Sequence, residues 1–458
     1  MPLKKIIEYG LYLLLFTLPW QTRWIFRAGT IQGGVSEYLS YSLYATDILA
    51  IALLILAAYH YWRQRPPRGF RRADRIKGII AAAVGMYFAF SIVNAPDHSL
   101  AEFIVLRMTL ALATARLLLL FADKAAAALW LIAGLLPAAW LAVWQFLSQS
   151  TFANKWLGLA KHFASEPGTS VIERYPVGQL PERWLRAYGS FDHPNMLGGA
   201  MVVGLIFSLW LLSEWYYRKE KESLRSLLYL IIASLSAGLF VSFSRGAWVG
   251  LFLGAAVSVL VTVWLKRWQE LRPWLVGLAI VAVIFGFFAI PYRDLAISRF
   301  AANDRLETKS TSERLASYKQ GVAIFKMRPW LGVGPGNYVP ALTLVEPGQP
   351  SWYYQPAHST YLLLLSEFGI LGLLLLIILA ATFIFKDQLP PLTQMSKEQL
   401  KIRKLIEDYG RFDLLVTMLA ISVATMILFD HWWWSLHFGV FLFWVLAAAA
   451  ALPRKNVE

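Results

Sequence analysis

The chain has 458 residues, of which 58% are apolar and 16% charged, with a net charge of +15, a mean hydropathy of +0.51 and no cysteine. That composition excludes a soluble globular protein, and the missing thiols exclude disulfides, thiolate nucleophiles and Cys-ligated metal centres. The positive charge is spread over short polar segments instead of one soluble unit, which argues against a nucleic-acid partner and for anionic membrane lipids.

Apolar runs long enough to cross a hydrocarbon core, roughly 20 residues for about 30 Å, recur from end to end. About twelve transmembrane helices are expected, near 6–20, 43–60, 77–94, 100–121, 125–148, 190–214, 226–243, 247–265, 274–291, 358–385, 412–430 and 435–452. The first follows Lys4 and Lys5 and ends on bulky Leu18-Pro19-Trp20-Gln21, with no small-residue cleavage site, so it reads as a signal anchor. The run from Arg63 to Arg72, with arginines also at 65, 68 and 71, marks a cytoplasmic loop. Both termini then lie on the cytoplasmic side, as does a linker at 386–411. The fold class is an all-α polytopic protein with one membrane domain, 1–458.

Two large loops face outward. The first, 149–189, contains Pro167-Gly168, Tyr175-Pro176 and Leu180-Pro181 and is expected to be irregular. The second, 292–357, carries Arg293, Arg299, Arg305, Lys309, Arg314, Lys319, Lys326 and Arg328. Leu315, Tyr318, Val322 and Phe325 recur at helical spacing there, predicting an amphipathic surface helix over about 312–327, capped by Thr311 or Ser312. Pro329, Gly332, Gly334, Pro335 and Gly336 then break it.

Several chemistries are absent. There is no phosphate-binding GxxxxGK[ST] loop, and no acidic pair spaced like a metal-dependent glycosyltransferase site. A metal site from His162, His193 and His358 is conceivable, but lone histidines more often serve as hydrogen-bonding groups, and no metal is expected. Three outward clusters remain: Arg186-Ala-Tyr-Gly-Ser-Phe-Asp-His-Pro-Asn195, Ser242-Phe-Ser-Arg245-Gly-Ala-Trp248, and Ala357-His358-Ser359-Thr360-Tyr361. Arg245 is the sharpest, because it falls in a very short outward turn at the hydrocarbon edge, where an ionised side chain is costly; a bound anion is preferred as its partner, with snorkelling to lipid headgroups as the alternative. In the fourth span Arg107 and Arg116 lie on opposite helix faces at about 100° per residue. Arg116 can snorkel to the cytoplasmic surface, whereas Arg107 should face the bundle interior, toward the same anion-binding cavity.

Four motifs together resemble the O-antigen ligase and O-antigen polymerase superfamily. They are Arg186 to Asn195 with Leu197-Gly198; Ser244-Arg245-Gly246-Ala247-Trp248; Trp330-Leu-Gly-Val-Gly-Pro-Gly-Asn337; and His358-Ser-Thr-Tyr361 with Glu367-Phe-Gly-Ile-Leu-Gly372. They span about 185–375. The family commonly has His-Asn where this chain has His358-Ser359, so the histidine is kept and the amide is not. The resemblance implies an inner-membrane enzyme acting on its periplasmic face, without cofactor or metal. It would move a glycan from an undecaprenyl diphosphate carrier to an acceptor hydroxyl, with inversion. Lipid A-core is the preferred acceptor, ahead of another lipid-linked repeat or a protein hydroxyl. A non-catalytic transporter of lipid-linked sugar is a further alternative, but the inverted repeat it would prefer is not visible.

Arg forks bind phosphate oxygens in pairs, so Arg186, Arg245 and Arg314 are assigned to the diphosphate. His358 is the expected general base for the acceptor, with Arg107, His193, Asn195 and Tyr361 in support.

Overall fold

The computed structural model describes residues 2–64, 72–174, 182–301, 305–384 and 414–452. The expected linker at 386–411, most of the basic run after Arg63, and the Tyr175-Pro176 and Leu180-Pro181 turns lie outside the described residues.

Eight helices among those residues are long and apolar enough to cross a membrane. They are Ala45–Gln64, His98–Phe121, Lys124–Ser148, Pro194–Tyr217, Glu222–Val241, Arg245–Trp264, Leu271–Ala289 and Thr360–Ala381. Shorter apolar helices, Leu3–Thr17, Ile79–Val93, Leu414–Phe429 and His437–Ala451, stand where the other four spans are expected.

In chain order the helices used below are α1 (Leu3–Thr17), α2 (Ala45–Gln64), α3 (Arg72–Val93), α4 (His98–Phe121), α5 (Lys124–Ser148), α6 (Pro194–Tyr217), α7 (Glu222–Val241), α8 (Arg245–Trp264) and α9 (Trp268–Ala289). After α9 come α10 (Arg293–Ala301), α11 (Arg305–Met327), α12 (Tyr338–Val345), α13 (Thr360–Ile384), α14 (Leu414–Phe429), the short α15 (Trp432–Ser435) and α16 (His437–Ala451).

The hub is α6. It is apolar all round, and every residue from Met196 to Ser213 is buried, so it has no face to offer lipid. Helices α5, α7, α8, α9 and α14 pack around it. The tightest of the surrounding pairs is α8 against α14. A side chain at Gly254 would meet Ser422 Oγ at 2.2 Å, and one at Gly250 would meet the Ser422 carbonyl at 3.0 Å, so small residues four apart let the two backbones close up. This contact sets the first residue of α8, Arg245, beside the residue that follows α14, Asp430.

Two hairpins modify the all-α expectation. β1 (Arg23–Ile31) and β2 (Gly34–Tyr44) pair antiparallel around a Gln32-Gly33 turn with both φ angles positive, the geometry that matches strand twist. β3 (Val171–Arg174) and β4 (Glu182–Leu185) form a second pair inside the loop expected to be irregular. The surface helix of the second large loop is also corrected. α11 begins at Arg305, so Thr311 and Ser312 lie inside it and cap nothing, and α10 precedes it.

α13 is broken at Gly369, which has φ 60°. The freed backbone groups are taken up by the turn after α11. The amides of Ile370 and Leu371 donate to the carbonyls of Pro329 and Trp330, and the amides of Val333 and Gly334 donate to those of Ser366 and Glu367. The Tyr87 hydroxyl on α3 donates to the carbonyls of Leu331 and Phe368. Within a bilayer an open helix break must be satisfied in this way. The Trp330–Asn337 and Glu367–Gly372 motifs are thus two halves of one backbone-paired joint.

Candidate functional site

The site is built on loop backbone fixed by buried amides. Gln145, near the end of α5, accepts from the amides of Tyr188 and Gly189 at 3.0 and 2.8 Å and donates to the Gly189 carbonyl at 3.0 Å. That turn carries the chain from β4 into α6. His193 caps α6, its Nδ1 accepting from the Asn195 amide at 3.1 Å, while its Nε2 pairs with Ser170 Oγ at 3.1 Å. Arg186 is buried. Its Nε donates to the Ser242 carbonyl at 2.9 Å and its Nη2 to Asn195 Oδ1 at 2.8 Å.

Asn195 passes this order on. Its Nδ2 donates to Asp430 Oδ2 at 2.6 Å, linking the start of α6 to the end of α14. The Asp430 carbonyl accepts from both the amide and the hydroxyl of Thr360, at 3.1 and 2.7 Å, which ties the start of α13 to the same point. His431 Nδ1 meets Ser435 Oγ at 2.7 Å, and its ring lies 5.4 Å from that of His358. The His358 amide donates to Ser317 Oγ of α11 at 3.2 Å.

Beside this cluster opens a cleft lined by Arg245, Arg299, Arg314, Asn195, Asp430 and Trp432, among others. The arginines come from the start of α8, from α10 and from α11. Arg245 Nη1 donates to the Arg299 carbonyl at 2.8 Å, and the Arg299 guanidinium donates to the Phe243 carbonyl. Phe243 has φ 47°, in the sharp turn that aims Ser244 and Arg245 into the cleft.

Electrostatics divide the cluster. Burial holds His193 down at about 3 and His431 at about 4, and it also depresses His358, where the Asp430 charge opposes the shift without cancelling it. All three imidazoles are neutral at neutral pH. Burial also works against ionisation of Asp430, but the imidazoles and the Asn195 amide outweigh it and hold the carboxyl below its usual range. The arrangement is one carboxylate, a neutral histidine within reach of it, and a guanidinium-lined cleft alongside. Chemically it can hold an anion of more than one charge and accept a proton next to it.

The structure brings Arg245, Arg314 and Asn195 together in the cleft, with His193 directly behind Asn195. Arg186 stands one hydrogen bond further back and acts on the cleft through Asn195. Arg107 points elsewhere. Its Nη2 donates to the Ser42 carbonyl at 2.9 Å, and its guanidinium lies over Phe103 and Tyr44, in a separate group with Asp47 and His437. The Tyr361 hydroxyl donates to the Ala424 carbonyl on α14. Sequence reasoning missed Arg299, Asp430 and His431. The last two form an acid-histidine pair in a turn of a few residues between apolar runs, which was a usable signal.

Among the described residues His358, Asp430 and His431 each offer a ligand atom, all within 4.8 Å of one another, so they are the group that could hold a cation. His162 is not part of it; its ring stacks on Tyr188 at 3.8 Å.

These features define a multi-pass membrane protein with an arginine-lined cleft beside a histidine–carboxylate cluster. Residues 228–377 match the family model described as O-antigen ligase, so over that stretch the chain is similar to this family, which supports a membrane glycosyltransferase of ligase or polymerase type. The matched stretch carries Arg245, Arg299, Arg314 and His358, while Arg186, Asn195, Asp430 and His431 flank it on either side. No curated protein matches the chain.

Proposed function

We propose that the chain is an inverting, metal-independent glycosyltransferase that moves a polysaccharide from undecaprenyl diphosphate to lipid A-core on the periplasmic face of the inner membrane. The observation that carries this reading is the meeting of Arg245, Arg299 and Arg314 in one cleft whose wall includes Asp430, the carboxylate partner of His358. The guanidinium groups bind the diphosphate and stabilise the charge it gains as it leaves. The acceptor hydroxyl attacks the anomeric carbon from the face opposite the diphosphate. As that carbon–oxygen bond forms, the bond to the diphosphate oxygen breaks with its electron pair, and the hydroxyl proton passes to a ring nitrogen of His358. Asp430 stabilises the imidazolium, and Asn195 and Arg186 hold Asp430 in place.

The test is the lipopolysaccharide of a deletion strain. Free core together with accumulated long lipid-linked chains supports the ligase reading. Core bearing single repeats would instead assign a polymerase. Normal lipopolysaccharide with loss of a glycan from protein would assign an oligosaccharyltransferase.

A further inference from the structure

A second surface lies on the same side as the cleft, built from parts that no motif marks. Trp24 is 65% exposed, Phe26 49% and Trp156 76%, with Ile25, Phe152 and Leu157 exposed beside them. The hairpin and the first large loop are joined at this point. Thr22 Oγ1 donates to the Trp156 carbonyl at 2.8 Å, and a side chain at Gly158 would meet the Gln21 backbone at 2.2 Å. At one end Phe152 packs edge-on against Trp144 of α5, which is exposed along with Trp140 and Leu147. At the other end Phe26 packs against Phe103 of α4, one turn before exposed Leu106. Exposed apolar side chains thus link the outer flank of one spanning helix to that of another, through two segments that do not span.

Cations rim this surface. Lys155 lies over the Trp156 ring at 5.1 Å, Lys161 over Phe163 at 4.5 Å and Arg27 over Tyr41 at 4.8 Å. Aromatic rings beside lysine and arginine heads suit the boundary where acyl chains give way to phosphate-bearing headgroups.

We propose that the Arg23–Tyr44 hairpin and the 151–163 loop form one lipid-docking face. It sinks Trp24, Phe26 and Trp156 into the leaflet on which the cleft opens and sets Lys155 and Lys161 against anionic headgroups. Its occupant is the leaflet itself, because the surface continues the lipid-facing sides of α4 and α5 and its rim is cationic. The face also touches the histidine cluster beside the cleft, since Tyr38 of the same hairpin lies edge-on against His431 at 5.5 Å. Lipid that holds the hairpin thereby steadies one wall of the histidine cluster. The assignment does not depend on the reaction performed there.

The cysteine-free sequence makes the test direct. Single Trp24→Cys, Leu157→Cys and Gln349→Cys proteins carrying an environment-sensitive fluorophore are placed in phosphatidylglycerol vesicles. Labels at 24 and 157 should show blue-shifted emission, lose intensity to nitroxide-labelled lipid and resist aqueous iodide, while the label at exposed Gln349 behaves oppositely. Leu157 serves where Trp24→Cys is poorly made. Quenching by iodide at 24 and 157 equal to that at 349 overturns the proposal. Protection from both quenchers also overturns it, since a protein would then be the occupant. In the full-length protein, Lys155→Gln with Lys161→Gln should abolish the preference for phosphatidylglycerol over phosphatidylcholine among retained lipids; an unchanged preference removes the headgroup part of the assignment.

Discussion

Asn195 and Asp430 stand 235 positions apart in the chain and share a hydrogen bond of 2.6 Å. Through it the capped start of α6, held by Arg186 and His193, fixes the carboxylate that follows α14. A single amide thus aligns both ends of the site, and substitutions along this line should be felt at His358.

Asp430→Asn tests that relay. Removing the charge takes away the interaction that favours protonated His358, so kcat should fall by about 10²-fold or more. The acid limb of the pH profile should also move to lower pH, because burial then acts unopposed. An unshifted limb with full activity would show that Asp430 only anchors Thr360. Asn195→Ala should lower kcat in the same direction with donor affinity retained.

For His358 itself, replacement by Ala should cost roughly 10²–10⁴-fold in transfer while donor binding survives, measured with purified lipid-linked glycan. The base must be unprotonated to act, and its pKa lies below the ordinary histidine value. Activity should therefore be flat around neutral pH and decline only below the usual histidine range. A limb centred at or above 6.5 contradicts the assignment.

Arg245→Ala should reduce transfer by about 10²–10³-fold, the loss expected when one donor to a developing negative charge is removed. Arg245→Lys should recover little of it, since a point charge replaces a planar fork. Arg186→Ala should act differently, lowering the yield of folded protein as well, because it strips a hydrogen bond from the buried Ser242 carbonyl. Comparable folding and unchanged kinetics in that variant would remove Arg186 from the site.

The chelator experiment separates a proton-accepting cluster from a cation site. Activity should persist after EDTA or phenanthroline treatment and dialysis. Loss that zinc or manganese restores would instead assign His358, Asp430 and His431 to a metal.

Much of the helical frame is legible because an apolar run of bilayer length leaves the chain little choice. Arg245 is legible for a similar reason: a cation in so short an outward turn demands an explanation. The hairpin at Arg23–Tyr44 is hidden because Trp24, Ile25 and Phe26 are all exposed, so the strand lacks the alternation that marks one half-buried face. The start of α11 is misread because Thr311 and Ser312 imitate a cap, whereas the helix continues through them. The role of Arg299 is not legible among the other cations of its loop for another reason. It comes from the placing of α10 against the start of α8, a contact between segments far apart in sequence.

The joint between the broken helix and the turn at Pro329–Gly334 has a consequence for movement. Arg314 lies on the segment entering that joint and His358 just ahead of the segment it braces, so the two are corners of one truss, cross-tied where the His358 amide meets Ser317. A change in their separation would strain the backbone pairs of the joint. Tightening of the cleft around a bound substrate is therefore expected from the opposite jamb, the starts of α6 and α8, swinging against this braced post.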